Sequence, residues 1–215
     1  MIRRLILVAV LALSTAVPAA ATAISWQTRY IANPSARSSA AVYQNDVNTL
    51  MAASATSGYG DTTPVSFADL NNAQFFGANS HVAYRTTLTF TTATAGLWDF
   101  RFGVDYGLGG AVFVDGVALA FRTDDLWWGG NWSSGSVLNL STSLTQGNHT
   151  VVLYGIESCC DGGQSGQWRA NGGAWTTFAT NDGINRVPEP GMLGLLGAGV
   201  AGLALSRRKR ARAAV

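Results

Sequence analysis

Apolar and polar residues alternate with a period of two over long stretches of this 215-residue chain, beginning near residue 81. Gly96 separates two such runs, and Asp99, Arg101 and Gly103 occupy the other face of the second run. Because successive side chains of a strand point to opposite faces, the pattern predicts β-strands with one buried face. The buried positions would be Val82, Tyr84, Thr86, Leu88 and Phe90 in the first strand, and Trp98, Phe100, Phe102 and Val104 in the second.

Short turn sequences divide the rest of this region into further strands. Asp115-Gly116 separates the apolar runs 111–114 and 117–121, and this dipeptide favours a two-residue hairpin because glycine accepts positive φ at little cost. About seven strands with almost no helix predict an all-β fold, an antiparallel β-sandwich or jelly roll with its core over residues 81–180. The remaining strands are predicted at 137–144 and 150–156, and in a last hairpin at 168–170 and 174–178.

The preceding segment, residues 24–80, is polar and weakly patterned, and we expect it to form the N-terminal part of the same folded body. One short helix is predicted over 44–55, with Asn45 or Asp46 as its cap. Its apolar face would follow the helical spacing of Val47, Leu50, Met51 and Ser54. The glycine-rich stretch 56–64 is predicted to be a loop.

Charge and cysteine content exclude several classes of protein. Residues 24–187 contain seven arginines, no lysine and eleven acids, a net charge of −4 that does not fit a nucleic-acid-binding surface. The absence of lysine from this body excludes a phosphate-loop lysine or a lysine Schiff base there. Two cysteines exclude a disulfide-dense mini-fold and a four-cysteine zinc site, and two histidines provide few metal ligands.

The first 23 residues have the organisation of a secretory signal peptide. Arg3 and Arg4 precede an uncharged apolar run over 5–13, and small residues follow up to Ala23. The apolar run is shorter than the roughly 20 residues of a membrane span, so cleavage by signal peptidase is predicted after Ala23 or Ala21. The protein is therefore expected to be exported.

The last 28 residues, 188–215, form a second targeting segment after a linker over 181–187. An uncharged run over 191–205 predicts a single, marginal membrane helix, and the basic cluster after it is typical of a stop-transfer flank on the cytoplasmic side. An ordinary tail anchor is the alternative. The sorting motif comprises Val187, Pro188, Glu189 and Pro190, and the basic cluster comprises Arg207, Arg208, Lys209, Arg210 and Arg212.

The order of Pro188-Glu189-Pro190, short apolar helix and arginine-rich end resembles the PEP-CTERM sorting signal of Gram-negative bacteria. The string Cys159-Cys160-Asp161-Gly162 resembles the CCXG-type subgroup of these proteins. The resemblance implies an exosortase-type processing protease as partner and an inner-membrane intermediate held by the C-terminal helix. It also implies a final place at the cell surface or outside the cell, in association with exopolysaccharide and biofilm.

The body has a resemblance of its own, over about residues 80–160. The segments 98–102 and 111–116, with Asp105 between them, resemble the central hairpin of PA14-type domains, and 144–152 resembles a later strand of that domain. The resemblance implies a β-sandwich and carbohydrate binding. Some adhesin members hold calcium between adjacent aspartates, whereas Tyr106 follows Asp105 here. We predict no cofactor, and calcium is the ion that the resemblance suggests.

Cys159 and Cys160 are the only cysteines of the chain, and they are adjacent. An exported protein meets oxidising conditions, so we predict a disulfide between the two neighbours. Reduced or intermolecular thiols are one alternative, and metal or redox chemistry is another. Two thiolates alone underfill a zinc site.

An aromatic and acidic loop is the candidate ligand site. Tryptophan rings can pack against the apolar faces of sugars, and carboxylates accept hydrogen bonds from sugar hydroxyls. Trp168 and Trp175 would lie near this loop, and the alternative role of these tryptophans is to close the end of the core. The predicted ligand-binding residues are Asp105, Asp124, Asp125, Trp127, Trp128 and Trp132.

No catalytic or metal-binding motif is present in the sequence. His81 and His149 lie in no nucleophile or metal motif, and we expect them to be strand or turn residues. The favoured function is that of a non-enzymatic surface or matrix protein that binds extracellular polysaccharide or another surface component. A secreted polysaccharide hydrolase is one alternative, with acids drawn from Asp105, Asp124, Asp125 and Glu157, and a purely structural matrix subunit is another.

Overall fold

The computed structural model describes residues 21–184 of the chain. Most of the predicted signal peptide, together with the sorting motif, the C-terminal membrane helix and the basic cluster, lies outside these residues. Among the residues from 21 to 184, no helix is both long and apolar enough to cross a membrane.

The described residues form two antiparallel sheets that face each other. The larger sheet has the strand order β2-β1-β3-β8-β5-β6, and the smaller has the order β10-β9-β4-β7. The strands of the larger sheet are β1 (Ala23–Tyr30), β2 (Asp61–Thr62), β3 (Ser80–Thr92), β5 (Gly110–Val114), β6 (Val117–Arg122) and β8 (Gly147–Cys159). Those of the smaller sheet are β4 (Gly96–Gly103), β7 (Leu138–Leu144), β9 (Ser165–Ala170) and β10 (Thr176–Thr177).

The core lies between the two sheets and consists largely of aromatic rings. The alternation in β3 and β4 is confirmed, because Leu88, Phe90, Phe100 and Phe102 are all at most 1% exposed. Phe178 stacks on both Phe100 and Phe102, with ring centroids 6.0 and 6.1 Å apart. Phe90 of β3 reaches this stack from the larger sheet, with its ring centroid 6.2 Å from that of Phe100 and 6.0 Å from that of Phe178. Burial of one such side chain stabilises a fold by about 1.5–3 kcal/mol, so these rings help to hold the sheets together.

The Asp115-Gly116 hairpin forms as predicted. Both residues have positive φ, 49° and 80°, which suits the tight turn between β5 and β6. The Asp115 carboxylate lies 2.7 Å from Nδ1 of His149 and accepts the backbone N–H of Thr150 at 2.8 Å. His149 is therefore a structural residue, as expected from the sequence.

Strand β1 lies in a segment for which the sequence predicted only a helix. It pairs with β3 over eight residues, and Ile24, Trp26 and Thr28 point into the protein. The alternation was missed because its third buried position is polar: the Thr28 hydroxyl donates to the Asn72 side chain in the interior. The sandwich thus includes residues that precede position 81.

The predicted helix exists but is displaced by four residues. Helix α1 spans Ala40–Met51 rather than 44–55, because Ser39 caps it by accepting the N–H of Val42 at 3.3 Å. The proposed cap residue Asp46 lies inside the helix and pairs with Arg37 at 2.7 Å. Tyr43, Val47 and Met51 form its buried face, which packs on the outer side of the larger sheet.

The first and last described segments meet at one end of the sandwich. The Thr22 hydroxyl donates to the Asp182 carboxylate at 2.9 Å. Ala23, the next residue, pairs with Thr89 near the end of β3. Ser80, at the beginning of β3, pairs with Cys159 at the opposite end of the sandwich.

Candidate functional site

A pocket of about 280 Å³ opens at the end of the sandwich where β4 and β8 finish. Four segments converge there: the segment before the short helix α2 (Asn72–Phe75), the loop between β4 and β5, the loop between β6 and β7, and the loop between β8 and β9. The residues that line the pocket are Asp69, Asp105, Trp127, Trp128, Gly129, Gly130 and Gly163.

Asp105 is the buried carboxylic acid of this pocket. It lies two residues after the end of β4 and is 5% exposed. Burial, reinforced by the negative charges of Glu157, Asp125 and Asp161, raises its pKa to about 7. Gly162 lies against the carboxylate so closely that a Cβ atom there would overlap Oδ2 of Asp105.

Trp128 forms a fixed wall of the pocket. It is 8% exposed, its indole Nε1–H donates to the carbonyl oxygen of Gly163 at 2.7 Å, and its ring covers Gly103 with no room for a Cβ atom. Trp127, in contrast, is 65% exposed. Its backbone N–H donates to Oδ1 of Asp125 at 2.8 Å, which orders the loop while leaving the ring of Trp127 open to solvent.

The loop over 159–164 forms the opposite wall. Cys159 and Cys160 are bonded to each other through their sulfur atoms, 2.17 Å apart, and both residues are exposed. The next residue, Asp161, accepts the Tyr84 hydroxyl and the backbone N–H of Ala73, and so ties the loop to β3 and α2. Burial raises the pKa of Asp161, while its bond from Tyr84 acts in the opposite direction.

Three of the six predicted ligand residues line the pocket: Asp105, Trp127 and Trp128. The other three lie around it. Asp124 forms an exposed ion pair with Arg122, and Asp125 accepts a hydrogen bond from the backbone N–H of Trp127. Trp132 contacts the ring of Trp128, with centroids 4.7 Å apart.

The two tryptophans expected near this loop occupy different places. Trp168 is half-buried beside Trp98, with ring centroids 5.3 Å apart, and helps to close the core. Trp175 lies on the outer face of the smaller sheet, over Arg101. The proposed core-closing role therefore describes Trp168, and Trp128 combines both roles.

Asp69 and Gly163 are pocket residues that the sequence analysis missed. Asp69 has a φ of 52° and its backbone N–H donates to the Ser165 hydroxyl at 2.9 Å. The next residue, Leu70, forms a β-bridge with Gln164, and this bridge brings Asp69 against Gly163. The contact is so close that a Cβ atom at position 163 would overlap Oδ1 of Asp69. Because this contact joins segments more than 90 residues apart, no local pattern could reveal it.

Glu157 lies behind the pocket and is 1% exposed. Its two carboxylate oxygens accept backbone N–H groups, one from Gly107 and one from Cys159. Burial is the largest influence on its pKa and raises it, against the effect of these hydrogen bonds. Glu157 therefore orders the beginning of the loop over 159–164, which we call the cysteine loop.

The side chains of the pocket offer fewer oxygen ligands than a calcium ion takes, and calcium binding stays a prediction. Calcium takes six to eight oxygen ligands, from carboxylates, carbonyl groups and waters, and the side-chain carboxylates that line the pocket are those of Asp69 and Asp105. Tyr106, at the position of the second adjacent aspartate, is buried and donates its hydroxyl to Oε1 of Gln164 at 3.1 Å. Within residues 21–184, no group of three or more His, Cys, Asp or Glu side chains could hold a metal ion.

The C-terminal segment matches a known sorting signal. The family model of the PEP-CTERM protein-sorting motif matches residues 186–209. The chain therefore carries this signal, as predicted from Pro188-Glu189-Pro190 and the residues after it, and the signal implies export through a membrane-anchored sorting intermediate. No curated protein matches the chain in sequence. The assignment to the CCXG subgroup stays a prediction.

The body has the fold of PA14 domains, as predicted. The PA14 domain of the MpAFP antifreeze protein is 12% identical and aligns with 83% of this chain and 100% of its own length, at a TM-score of 0.50. The PA14 sugar-binding domain of an RTX adhesin is 13% identical over 75% of this chain and 97% of its own length, at 0.49. The Epithelial Adhesin 9 A domain from Candida glabrata, in complex with Galb1-3GlcNAc, is 9% identical over 73% of this chain and 86% of its own length, at 0.44.

Proposed function

We propose that this chain is a non-enzymatic protein of the cell surface or extracellular matrix that binds carbohydrate in the pocket beside Asp105. Signal peptidase would remove the N-terminal segment, and an exosortase-type protease would process the C-terminal sorting signal. The ligand would be an extracellular polysaccharide, which associates the protein with exopolysaccharide and biofilm. The PEP-CTERM signal over 186–209 supports export, and the pocket supports binding.

One observation carries the binding proposal: an exposed aromatic ring lies next to two carboxyl groups in one rigid pocket. Trp127 offers a solvent-facing ring against which the C–H face of a sugar can pack. Asp69 and Asp105 line the same pocket and can accept hydrogen bonds from sugar hydroxyls. Trp128 and Gly163 hold the two walls together, so little ordering remains for the ligand to impose.

Hydrolysis is less well supported than binding. A glycosidase needs two carboxyl groups that face the scissile bond. Of the four acids considered for this role, Asp105 is the one that lines the pocket, and the second carboxyl group there, that of Asp69, packs against Gly163. Glu157 has both oxygens bonded to backbone N–H groups, Asp124 is paired with Arg122, and Asp125 accepts the N–H of Trp127.

A glycan array and a pull-down with the producer's own polysaccharide test the proposal on the full chain. We expect saturable binding that Trp127→Ala weakens by about tenfold, the effect of losing about 1.4 kcal/mol. Leu97→Ala is the matched control, because Leu97 is 49% exposed and lies at the other end of β4 from Asp105.

Three outcomes would count against carbohydrate binding in the pocket. Absence of binding to every glycan would overturn it. Self-association without glycan would favour the structural-subunit alternative. Release of reducing sugar that Asp105→Asn abolishes would favour the hydrolase.

A further inference from the structure

The outer face of the smaller sheet carries a cation between two aromatic rings. Arg101 lies on β4, next to Asn139 on β7 and Gln167 on β9. Its guanidinium carbon is 4.5 Å from the ring centroid of Trp132 and 4.4 Å from that of Trp175. The two tryptophans come from different loops, so two separate parts of the chain converge on this arginine.

Arg101 differs from its neighbour Arg169 in the partners of its charge. Arg169 also lies over the Trp175 ring, at 4.5 Å, but donates to a carboxylate oxygen of Asp99 at 2.8 Å. Arg101 donates from Nε at 2.8 Å and from Nη2 to the neutral Oε1 of Gln167. Among the residues from 21 to 184, no carboxylate pairs with Arg101 and no acceptor receives its Nη1.

This face is continuous with the pocket. Trp132, which lies over Arg101, also contacts Trp128, the fixed wall of the pocket, with ring centroids 4.7 Å apart. Trp132 and Trp175 are both partly exposed. A polysaccharide that extends from the pocket past Trp128 would therefore contact Trp132 and then Arg101.

We propose that Arg101, Trp132, Gln167 and Trp175 form a second subsite, which binds a uronic acid unit of the same polysaccharide whose neutral unit occupies the pocket. The inference rests on the proposed carbohydrate-binding function and deepens it by naming the ligand class. The planar guanidinium matches the two oxygens of a carboxylate, and a site without its own carboxylate leaves that charge for the ligand.

The distribution of charge fixes which unit binds where. Asp69 and Asp105 line the pocket, where the charge of Asp69, joined by that of Asp105 once the pH exceeds its pKa of about 7, would repel an acidic sugar. Arg101 carries a positive charge that none of the described carboxylates pairs with, and so attracts the acidic sugar to the sheet face. A polysaccharide that alternates or mixes neutral and acidic units satisfies both subsites at once.

Three acidic polysaccharides, polygalacturonate, alginate and hyaluronate, each paired with its carboxyl-reduced counterpart, test this subsite on the full chain. Each pair differs only in the carboxylate groups, so the ratio of affinities isolates the charge. We expect at least one acidic polymer to bind about tenfold more tightly than its reduced form, the effect of about 1.4 kcal/mol. This preference should decrease as salt rises, because exposed charges are screened.

Variants assign the preference to the sheet face. Arg101→Gln should remove the preference for the acidic polymer, and Arg101→Lys should retain part of it, because lysine keeps the charge without the planar fork. Arg122→Gln is the matched control, since Arg122 is already paired with Asp124. Melting temperatures of all variants show whether each one folds.

The outcomes separate the two proposals. Any one of three results would overturn the acidic subsite. They are equal affinity for the acidic and the reduced polymers, no binding of any of the three acidic polymers, and a preference that survives in a folded Arg101→Gln protein. If Trp127→Ala weakens binding of a neutral glycan in those cases, carbohydrate binding in the pocket remains supported. If a preference for acidic polymers depends on Arg101 while Trp127→Ala has no effect, binding at the sheet face is supported and binding in the pocket is refuted.

Discussion

The indole Nε1–H of Trp128 donates to the carbonyl oxygen of Gly163 at 2.7 Å, and this bond joins two of the loops that form the pocket. The loop over 123–137, here called the tryptophan loop, runs from β6 in the larger sheet to β7 in the smaller. The cysteine loop likewise runs from β8 in the larger sheet to β9 in the smaller. Each loop thus crosses between the sheets, and Trp128 fixes one crossing to the other.

Trp128→Phe should weaken both the fold and the site. The change keeps an aromatic ring over Gly103 but leaves the Gly163 carbonyl without its donor, at a cost of about 1–3 kcal/mol in unfolding free energy. Urea denaturation measures this loss, and glycan affinity should fall with it. Trp127→Phe is the control and should leave stability unchanged, because Trp127 is 65% exposed. Equal stability of both variants would contradict the structural role of the Trp128 bond.

Gly162→Ala should disrupt the pocket. A Cβ atom at position 162 would overlap Oδ2 of Asp105, so either the carboxylate or the loop must move, at a cost of about 1–3 kcal/mol. We expect a lower melting temperature and loss of glycan binding. Gly135→Ala is the matched control, since a Cβ atom there meets nothing within 4 Å. A Gly162→Ala protein that melts and binds like the Gly135→Ala protein would refute this packing.

Asp105 should make the protein less stable as pH rises from about 4 to 7. Its pKa is raised from 3.8 to about 7 in the folded protein, so the folded state binds this proton more tightly than the unfolded state does. The stabilisation that it contributes is fully present below about pH 4 and is lost as pH approaches 7. Asp105→Asn should flatten this part of the profile and be more stable than the parent at pH 8.

Urea denaturation at several pH values measures the effect of Asp105. Asp124→Asn is the control, because pairing with Arg122 lowers the pKa of Asp124 and reverses the sign of its pH dependence. A parent protein whose stability rises steadily between pH 4 and 7, with the same slope in Asp105→Asn, would contradict the burial of Asp105 as a neutral acid.

Cys159 and Cys160 should be joined to each other in the exported protein. The ring is small, so we expect the double variant Cys159→Ser/Cys160→Ser to lose little global stability. Ligand affinity should fall more, because the bonded pair begins the loop that carries Gly162 and Gly163. Mass analysis with and without reduction and alkylation checks the bond. Two freely alkylatable thiols, or a disulfide-linked dimer, would show the prediction to be wrong.

The sorting signal should be needed for release from the membrane. Replacing Pro188, Glu189 and Pro190 by alanine should leave an unprocessed chain in the membrane fraction, because the apolar run over 191–205 remains. Mass spectrometry of the exported protein reports both processed ends. Alanine at Asn185, just outside the matched signal, serves as the control, and normal processing of the triple variant would exclude the tripeptide as the recognised element.

The sequence predicted the strands that alternate strictly and missed those that do not. Phe90, Phe100 and Phe102 are large, apolar and spaced by two, so β3 and β4 could be identified. In β1 the alternation includes Thr28, whose burial depends on a partner, Asn72, that lies 44 residues away. Burial of a polar side chain is decided by tertiary contacts, which local periodicity does not contain.

The candidate site was predicted in part for the same reason. The tryptophan loop could be identified by its composition, but which indole faces the pocket depends on Gly103, a residue of another strand that leaves room for Trp128. Asp69 could not be found, because a bridge between Leu70 and Gln164 brings it to the site. Composition thus indicated that the tryptophan loop could bind a ligand, whereas the packing of distant segments decides which of its residues line the pocket.

When signal peptidase cleaves after Ala21, the exported protein keeps Thr22 and its bond to Asp182. This bond would favour one orientation of the body on a surface. It holds the first and last described segments together at the end of the sandwich away from Asp105, near the end of β3 rather than its beginning. A body attached through its C-terminal segment would stand on that end. Its pocket would then face outward, about one strand length above the attachment point, where long polymers are within reach.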